Sequence, residues 1–253
     1  MNSIESIMKR AVNACMEDMS KEKPIRRRFC FPIDKETATR LLNDAYRVEV
    51  ESRLYPYSIT QDIKAQLSAV AEWLTNPARK PSILLYGRTG TGKTTMARSI
   101  KTMAKRLKDS YSIAGINRLQ NEMGTSFPTE VYRQFERLEY FVIVPDFTPA
   151  LDIAKMAKEN REEFDRLCRS KFLIVDDIGT EPKRVNSYGT EYLPIAELIQ
   201  RRYDSSLPTI ITTNLGDAEI EGTPQFPGYG QRTMDRLNEM CEKIPYGARS
   251  FRV

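Results

Sequence analysis

Residues 83–95, ILLYGRTGTGKTT, join a short apolar run to a glycine-rich loop and then to a stretch typical of a helix. The apolar run predicts a buried strand, and the glycines allow successive backbone N–H groups to turn toward one point. This order of strand, loop and helix N-terminus is suited to holding a polyphosphate, with Lys93 as a mobile cation and Thr94 as a hydroxyl ligand for Mg²⁺. We therefore predict an ATP phosphate site formed by Gly87, Arg88, Thr89, Gly90, Thr91, Gly92, Lys93, Thr94 and Thr95.

A second apolar run, FLIVDDIG at 172–179, contains two adjacent carboxylates, Asp176 and Asp177. One interpretation is a strand end whose acids begin a turn, since Asp favours turns. The other is a metal-and-water site, because ligands gather at the carboxyl ends of parallel strands and successive side chains point to opposite sides. We favour the second, in which Asp176 holds Mg²⁺ and Asp177 orients the attacking water. Asn214, which ends TIITTN (209–214), is expected to bond the γ-phosphate or to orient that water.

The apolar runs of the chain predict a parallel sheet that is covered on both faces. None of the four clear runs alternates polar with apolar residues, which is typical of strands buried on both sides. The runs lie at 82–87, 140–147, 171–177 and 209–214, with RSFRV (249–253) as a candidate fifth strand. Helical stretches at 94–107, 150–169 and 192–204 separate them. We expect an α/β fold of the P-loop type, with three layers and a doubly wound sheet.

The sequence before residue 81 has a helical pattern. Apolar residues recur at helical spacing over 1–20, 32–54 and 58–77. We divide the chain into a helical N-terminal partner-binding region, 1–55, and an ATPase domain, 56–253. The segment 111–139 is longer than a simple crossover between strands requires, and the sequence assigns it no role.

Composition excludes several kinds of site. The 253 residues include no histidine, which removes every histidine-based triad. The four cysteines, at positions 15, 30, 168 and 241, form no close pair, which favours buried free thiols over a structural zinc site. No apolar run reaches the ~20 residues that a spanning helix needs, and the N-terminus lacks a secretory apolar stretch. We expect a cytoplasmic protein with no membrane segment.

The basic residues are unevenly distributed within a net charge of +5. KEKPIRRR (21–28) is one cluster, and the stretch from Arg88 to Lys108 contains seven basic residues. These residues form either a solvated helix face or a surface for nucleic-acid phosphates. The choice depends on whether they share one surface, which the sequence does not show.

The phosphate loop, FLIVDDIGTEP (172–182) and PTIITTNL (208–215) occur in an order that resembles the AAA+ ATPases. Within them the likeness is to the DnaC/DnaI-type helicase loaders and the related IstB-type transposition ATPases. GYGQRTMDRLNEM (228–240) looks like the same group, and the resemblance covers roughly residues 50–253. It implies that Asn214 is the sensor-1 residue and that Arg236 is an arginine finger for the nucleotide of a neighbouring subunit. Arg232 lies one helical turn earlier and can face the same way.

The chain departs from the wider AAA+ pattern at two places. Most AAA+ proteins have Glu where this chain has Asp177, which is one methylene shorter, and a displacement of about 1 Å can cost on the order of a hundredfold in rate. This departure from the AAA+ pattern implies a slow, regulatory ATPase, although the loader group that the chain resembles often shares the DD pair. Only 17 residues follow Arg236, so we expect no C-terminal lid domain. The loaders carry a helical insertion along a DNA path near 147–169, but the mixed charges here favour a structural crossover helix.

These observations support three hypotheses for function. The first is a helicase loader that uses ATP and Mg²⁺, binds single-stranded DNA, self-associates with the arginine finger in trans and delivers a replicative hexameric helicase. The second is an IstB-like ATPase that acts with a transposase on duplex DNA. The third is a P-loop small-molecule kinase, which the paired acids, the sensor asparagine and the expected absence of a lid disfavour.

Overall fold

A computed structural model describes residues 28–187, 190–224 and 227–247. The predicted helix at 1–20, residues 21–27 of the basic cluster and the candidate strand 249–253 lie outside these ranges. Within the described residues, no helix is long and apolar enough to cross a membrane.

A five-stranded parallel sheet forms the centre of the described fold, with strand order β2-β3-β6-β1-β7. A separate antiparallel hairpin consists of β4 and β5. In chain order the strands are β1 (Ser82–Gly87), β2 (Asp146–Pro149), β3 (Leu173–Ile178), β4 (Val185–Ser187), β5 (Thr190–Tyr192), β6 (Thr209–Thr213) and β7 (Cys241–Tyr246).

Helices cover both faces of this sheet. In chain order they are α1 (Lys35–Glu51), α2 (Gln61–Thr75), α3 (Lys93–Tyr111), α4 (Ile113–Met123), α5 (Thr129–Phe141), α6 (Ala150–Glu159), α7 (Arg161–Cys168), α8 (Pro194–Asp204), α9 (Asp217–Glu221) and α10 (Gln231–Met240). Alternate side chains of β1 enter different cores: Ile83 and Leu85 pack with α1, α2 and α3, and Leu84 packs with α6, α7, α8 and α10. The predicted α/β, three-layer P-loop fold is confirmed.

Helix α1 belongs to the first of these cores. Asp34 caps the helix by accepting a hydrogen bond from the Thr37 N–H, and buried Leu42 and Tyr46 join the cluster that contains Ile83. The part of residues 1–55 that the structure describes is therefore packed on the sheet. A division at residue 55 into two regions stays a prediction.

Several predicted element boundaries are wrong, and each has a local cause. The strand predicted at 140–147 begins only at Asp146, because α5 continues to Phe141 and Pro145 has no N–H for a ladder. The single helix predicted at 150–169 is two helices, because Asn160 leaves the helical conformation and its side chain caps the second one. The edge strand next to β1 is Cys241–Tyr246, which was not predicted from the sequence.

Candidate nucleotide-binding site

The phosphate loop leaves β1 through three glycines in left-handed or related backbone conformations. Gly87, Gly90 and Gly92 have φ angles of 136°, 82° and 95°. At Gly87 an added Cβ would lie 2.3 Å from the Tyr246 carbonyl oxygen, so the neighbouring strand β7 excludes any side chain there. The loop is therefore tightly curled, and the glycines are required both by conformation and by close approach.

Lys93 begins helix α3 and its ammonium group folds back into the loop. Its Nζ donates to the carbonyl oxygens of Gly87 at 2.7 Å and of Arg88 at 2.8 Å, and the residue is buried. The Thr91 hydroxyl also donates to the Arg88 carbonyl, at 2.8 Å. A cation and a helix N-terminus thus lie at the same loop, which is the electrostatic environment that favours phosphate groups.

Asp176 lies at the carboxyl end of β3, where two hydroxyl groups meet it. Its Oδ1 accepts from Thr94 Oγ1 at 3.0 Å and from Thr212 Oγ1 at 2.7 Å. Oxygen atoms from a carboxylate and a hydroxyl are ligands that Mg²⁺ uses together with phosphate and water. The structure therefore brings the predicted metal pair together, and the donor set fits Mg²⁺.

Asp177 occupies a bulge in β3. The pairing of β3 with β6 shifts between Val175 and Ile178, and Asp177 has a left-handed φ of 60°. Its Oδ1 accepts from Asn214 Nδ2 at 2.9 Å, which joins two of the predicted catalytic residues. We expected regular strand alternation to separate the two acids. The bulge changes that reasoning, because Asp177 reaches Asn214 from a position outside the regular pleat.

Thr212 connects the two acids and was not predicted from the sequence. Besides its bond to Asp176, its Oγ1 accepts from the Asp177 backbone N–H at 2.7 Å, and the residue is 1% exposed. The position could have been suspected from the sequence, since TIITTN carries two threonines just before Asn214. Its contacts, however, depend on β6 lying beside β3, which is a property of the strand order.

Arg53 also reaches the phosphate loop, from a part of the chain that carries none of the nucleotide-binding motifs. Its Nη1 donates to Thr95 Oγ1 at 3.3 Å, and its Nη2 lies 3.9 Å from Glu49 Oε2 on α1. The segment that follows α1 therefore lies next to the start of α3.

Arg236 and Arg232 lie on α10, four residues apart. Arg236 Nη1 donates to the Arg232 carbonyl oxygen at 3.3 Å, and its guanidinium carbon lies 5.7 Å from the centre of the Tyr203 ring. Helix α10 leads directly into β7, whose first residue pairs with Ser82 at the end of β1 opposite the phosphate loop. Action of Arg236 on the nucleotide of another subunit stays a prediction.

The cysteines that the structure describes are free, as expected. Cys168 and Cys241 are buried and Cys30 is partly buried. Burial raises the pKa of the Cys168 thiol to about 11 and that of Cys241 to about 12, so both are neutral near pH 7.

Comparison with known proteins gave similarities of structure only. No model of a protein family matches the chain, and no curated protein is significantly similar to it. The crystal structure of DnaI is 15% identical over 83% of this chain and 93% of that chain, with a TM-score of 0.49. The DnaC helicase loader is 16% identical over 80% of this chain and 98% of that chain, with a TM-score of 0.46. AMPPCP-bound DnaA from Aquifex aeolicus is 15% identical over 75% of this chain and 48% of that chain, with a TM-score of 0.42.

Proposed function

We propose that this chain binds and hydrolyses ATP as an AAA+ protein that loads a replicative helicase onto single-stranded DNA during DNA replication. The observation that carries the ATPase part is the contact of Thr94 with Asp176, next to Lys93 and beside the Asp177–Asn214 pair. These residues come from the start of α3, from β3 and from the end of β6, and they combine a phosphate cradle with oxygen ligands for a metal and a carboxylate for water. The helicase-loading part is supported by the resemblance of the motifs to the loader group.

The chemistry follows from the position of each group. Lys93 and the loop amides bind the β- and γ-phosphates, while Thr94 and Asp176 hold Mg²⁺, which neutralises charge on the phosphate oxygens when bound. Asp177 accepts a proton as the water oxygen attacks the γ-phosphorus and the bond to the β–γ bridging oxygen breaks. Asn214 fixes the Asp177 carboxylate, because its Nδ2 donates a hydrogen bond of 2.9 Å to Asp177 Oδ1, and it orients the water. We propose that Arg236 of a neighbouring subunit stabilises the charge of the transition state.

Asp177 makes slow hydrolysis the expected behaviour. A shorter carboxylate in a bulged position reaches less far than a Glu side chain would, and catalytic groups are sensitive to displacements of about 1 Å. We propose that ATP acts as a timer for assembly on DNA in the cytoplasm. The N-terminal region 1–55 would contact the helicase, and ATP-bound subunits would self-associate.

The ATPase proposal is tested with Lys93→Ala and Arg236→Ala in the full chain. We expect Lys93→Ala to lose binding of a fluorescent ATP analogue, and Arg236→Ala to keep binding and lose hydrolysis. Mixing the two variants should restore turnover, because one supplies the intact site and the other supplies the arginine. Lys105→Ala, at an exposed position of the same helix α3, is the matched control and should behave as wild type. Retained binding by Lys93→Ala would contradict the site assignment.

The partner is tested by capture of purified proteins on the immobilised full chain. We expect a hexameric replicative helicase to be retained and a transposase to pass through. Removal of residues 1–27, which leaves every described residue in place, should weaken that capture without changing ATP binding. Retention of the transposase instead would favour the IstB-like function.

A further inference from the structure

A buried carboxylate, Glu181, lies just beyond the two acids of the site. Its side chain has 0% exposure, and its Oε2 accepts from the Gly179 backbone N–H at 2.9 Å. The Asp177 carbonyl oxygen in turn accepts from the Thr180 hydroxyl at 2.9 Å and from the Thr180 N–H at 3.4 Å. Glu181 is therefore attached to the turn that follows Asp177. Its own role is not accounted for by the chemistry of the site.

The second oxygen of this carboxylate binds a residue 48 positions away. Glu181 Oε1 accepts from the Tyr229 hydroxyl, and Tyr229 is 5% exposed. Lys183 covers the pair, with its Nζ 2.7 Å from the Tyr229 hydroxyl oxygen and 3.8 Å from Glu181 Oε1. Burial and the charge of Glu181 raise the pKa of the Tyr229 phenol, so the hydroxyl stays protonated. It can therefore donate a hydrogen bond to the carboxylate.

Tyr229 lies at the start of the helix that carries the two arginines. Its carbonyl oxygen accepts from the Thr233 hydroxyl at 2.9 Å, within the first turn of α10. Its N–H donates to the Ile220 carbonyl at 2.7 Å, which fixes the chain that enters the helix. One carboxylate oxygen of Glu181 is thus hydrogen-bonded to the turn that follows Asp177, and the other is hydrogen-bonded to Tyr229, just before α10.

The carboxylate of Glu181 takes its hydrogen bonds from two different segments of the fold. Burying a carboxylate costs free energy unless charge-assisted hydrogen bonds compensate for the lost water. Here the compensation comes from two segments that also carry parts of the proposed catalytic apparatus, Asp177 on one side and Arg236 on the other. Both segments are thus bonded to the same buried pair, and close-packed protein interiors transmit strain.

We propose that Glu181 and Tyr229 are positioning residues that couple occupancy of the phosphate site to the orientation of helix α10 and its arginines. This inference rests on the proposed ATPase function. When nucleotide moves the turn of Asp177, the Glu181–Tyr229 bond moves the entry to α10. Filling of the site thereby improves the presentation of the arginines to a neighbouring subunit, and an empty site leaves that presentation weaker but does not abolish it.

The first test measures this coupling within one subunit. Amide hydrogen exchange of residues 231–240 is compared with and without AMPPCP and Mg²⁺, in wild type, Tyr229→Phe and Glu181→Gln. We expect AMPPCP to change exchange over 231–240 in wild type and to have no such effect in the two variants. A merely structural role would alter exchange equally in both states and leave the difference intact. Tyr57→Phe, which removes a 2.7 Å bond from a hydroxyl to Asn43, is the matched control and should keep the wild-type difference.

The coupling is refuted if wild type shows no AMPPCP-dependent change over 231–240 while it binds the nucleotide, or if Tyr229→Phe keeps that change. Binding of AMPPCP is measured on the same samples, with Lys93→Ala as the non-binding reference. Failure of wild type to bind AMPPCP would refute the proposed ATPase function and the coupling with it. The two failures are therefore distinguishable.

The second test separates the two ends of the link in mixed subunits. Tyr229→Phe is placed either in the Lys93→Ala subunit, which supplies only the arginine, or in the Arg236→Ala subunit, which supplies only the site. We expect either placement to lower the restored kcat by about tenfold, with KM for ATP little changed, because positioning of catalytic groups is what is lost. Loss with one placement alone would reduce the pair to a local support and overturn the coupling. If the mixture of Lys93→Ala and Arg236→Ala without Tyr229→Phe shows no turnover, the result counts against action of the arginine in trans. The hydrogen-exchange experiment then decides whether Glu181 and Tyr229 couple the site to α10.

Discussion

Replacement of Thr212 by Val tests whether one hydroxyl organises both acids of the site. The substitution keeps the branched shape of the side chain and removes its oxygen. In the folded protein that oxygen donates to Asp176 at 2.7 Å and accepts from the Asp177 N–H at 2.7 Å. Asp176 keeps the hydroxyl of Thr94, whereas the Asp177 N–H loses this acceptor.

The expected cost follows from these two bonds. A hydrogen bond to a charged group contributes about 1.5–3 kcal/mol, and a buried donor without a partner costs about 1–3 kcal/mol. Because Thr212 is 1% exposed, water does not replace either bond readily. We expect Thr212→Val to lower the free energy of unfolding by about 3 kcal/mol and kcat for ATP by more than about tenfold, since both acids lose a fixed contact.

Thr213 provides a matched control one residue further along β6. Its Oγ1 also makes two hydrogen bonds, but both are to backbone groups: it donates to the Ile178 carbonyl at 2.7 Å and accepts from the Leu215 N–H at 3.0 Å. We expect Thr213→Val to lose about 2 kcal/mol of stability with little effect on kcat.

Both variants are measured by urea unfolding and by ATP turnover. Trp73, the only tryptophan of the chain, is 1% exposed and reports unfolding by its fluorescence. A loss below about 0.5 kcal/mol in Thr212→Val would show that the hydroxyl does not hold the acids, since that is within the range of ordinary surface substitutions. An equal fall of kcat in the Thr213 variant would show that general loosening of β6 is the cause.

Two further predictions concern the second acid and the buried thiol of β7. Asp177→Glu should hydrolyse ATP faster than wild type in steady-state kinetics, because the longer side chain extends the reach of the carboxylate, and turnover no faster than wild type would show that the shorter arm is not the limit. The same variant should lose about 1 kcal/mol of stability, because the position has a φ of 60° and Asp tolerates left-handed backbone better than Glu. For Cys241, burial raises the thiol pKa from 9.0 to about 12, so the folded state holds its proton where the unfolded state has lost it. This contribution to stability is complete below pH 9 and declines as the pH rises toward 12. Between pH 8 and pH 10 the free energy of unfolding, measured in urea, should fall by about 1.4 kcal/mol more in wild type than in Cys241→Ala. An equal fall in both proteins would exclude the thiol as the cause.

Local sequence patterns were sufficient to predict those features that are formed by a few consecutive residues. The phosphate loop between Gly87 and Thr95 was predicted because its glycines, lysine and threonine act at fixed spacing between one strand and one helix. The same holds for the strands at 82–87 and 209–213, whose apolar runs have clear ends. Predictions failed where a boundary depended on one residue, as at Pro145 before β2 and at Asn160 between α6 and α7.

Sequence by itself thus predicted the α/β class, the position of the glycine-rich loop between β1 and α3, and a pairing of Thr94 with Asp176, which are in hydrogen-bond contact. Tertiary structure alone decided that Thr212 bridges both acids, that Asp177 stands in a left-handed bulge and that Glu181 joins Tyr229. The physical reason is range: spacing along one segment sets a loop, whereas contacts over 36 or 48 residues depend on strand order and register. Strand order results from packing of the whole core, and no short pattern of the chain encodes it.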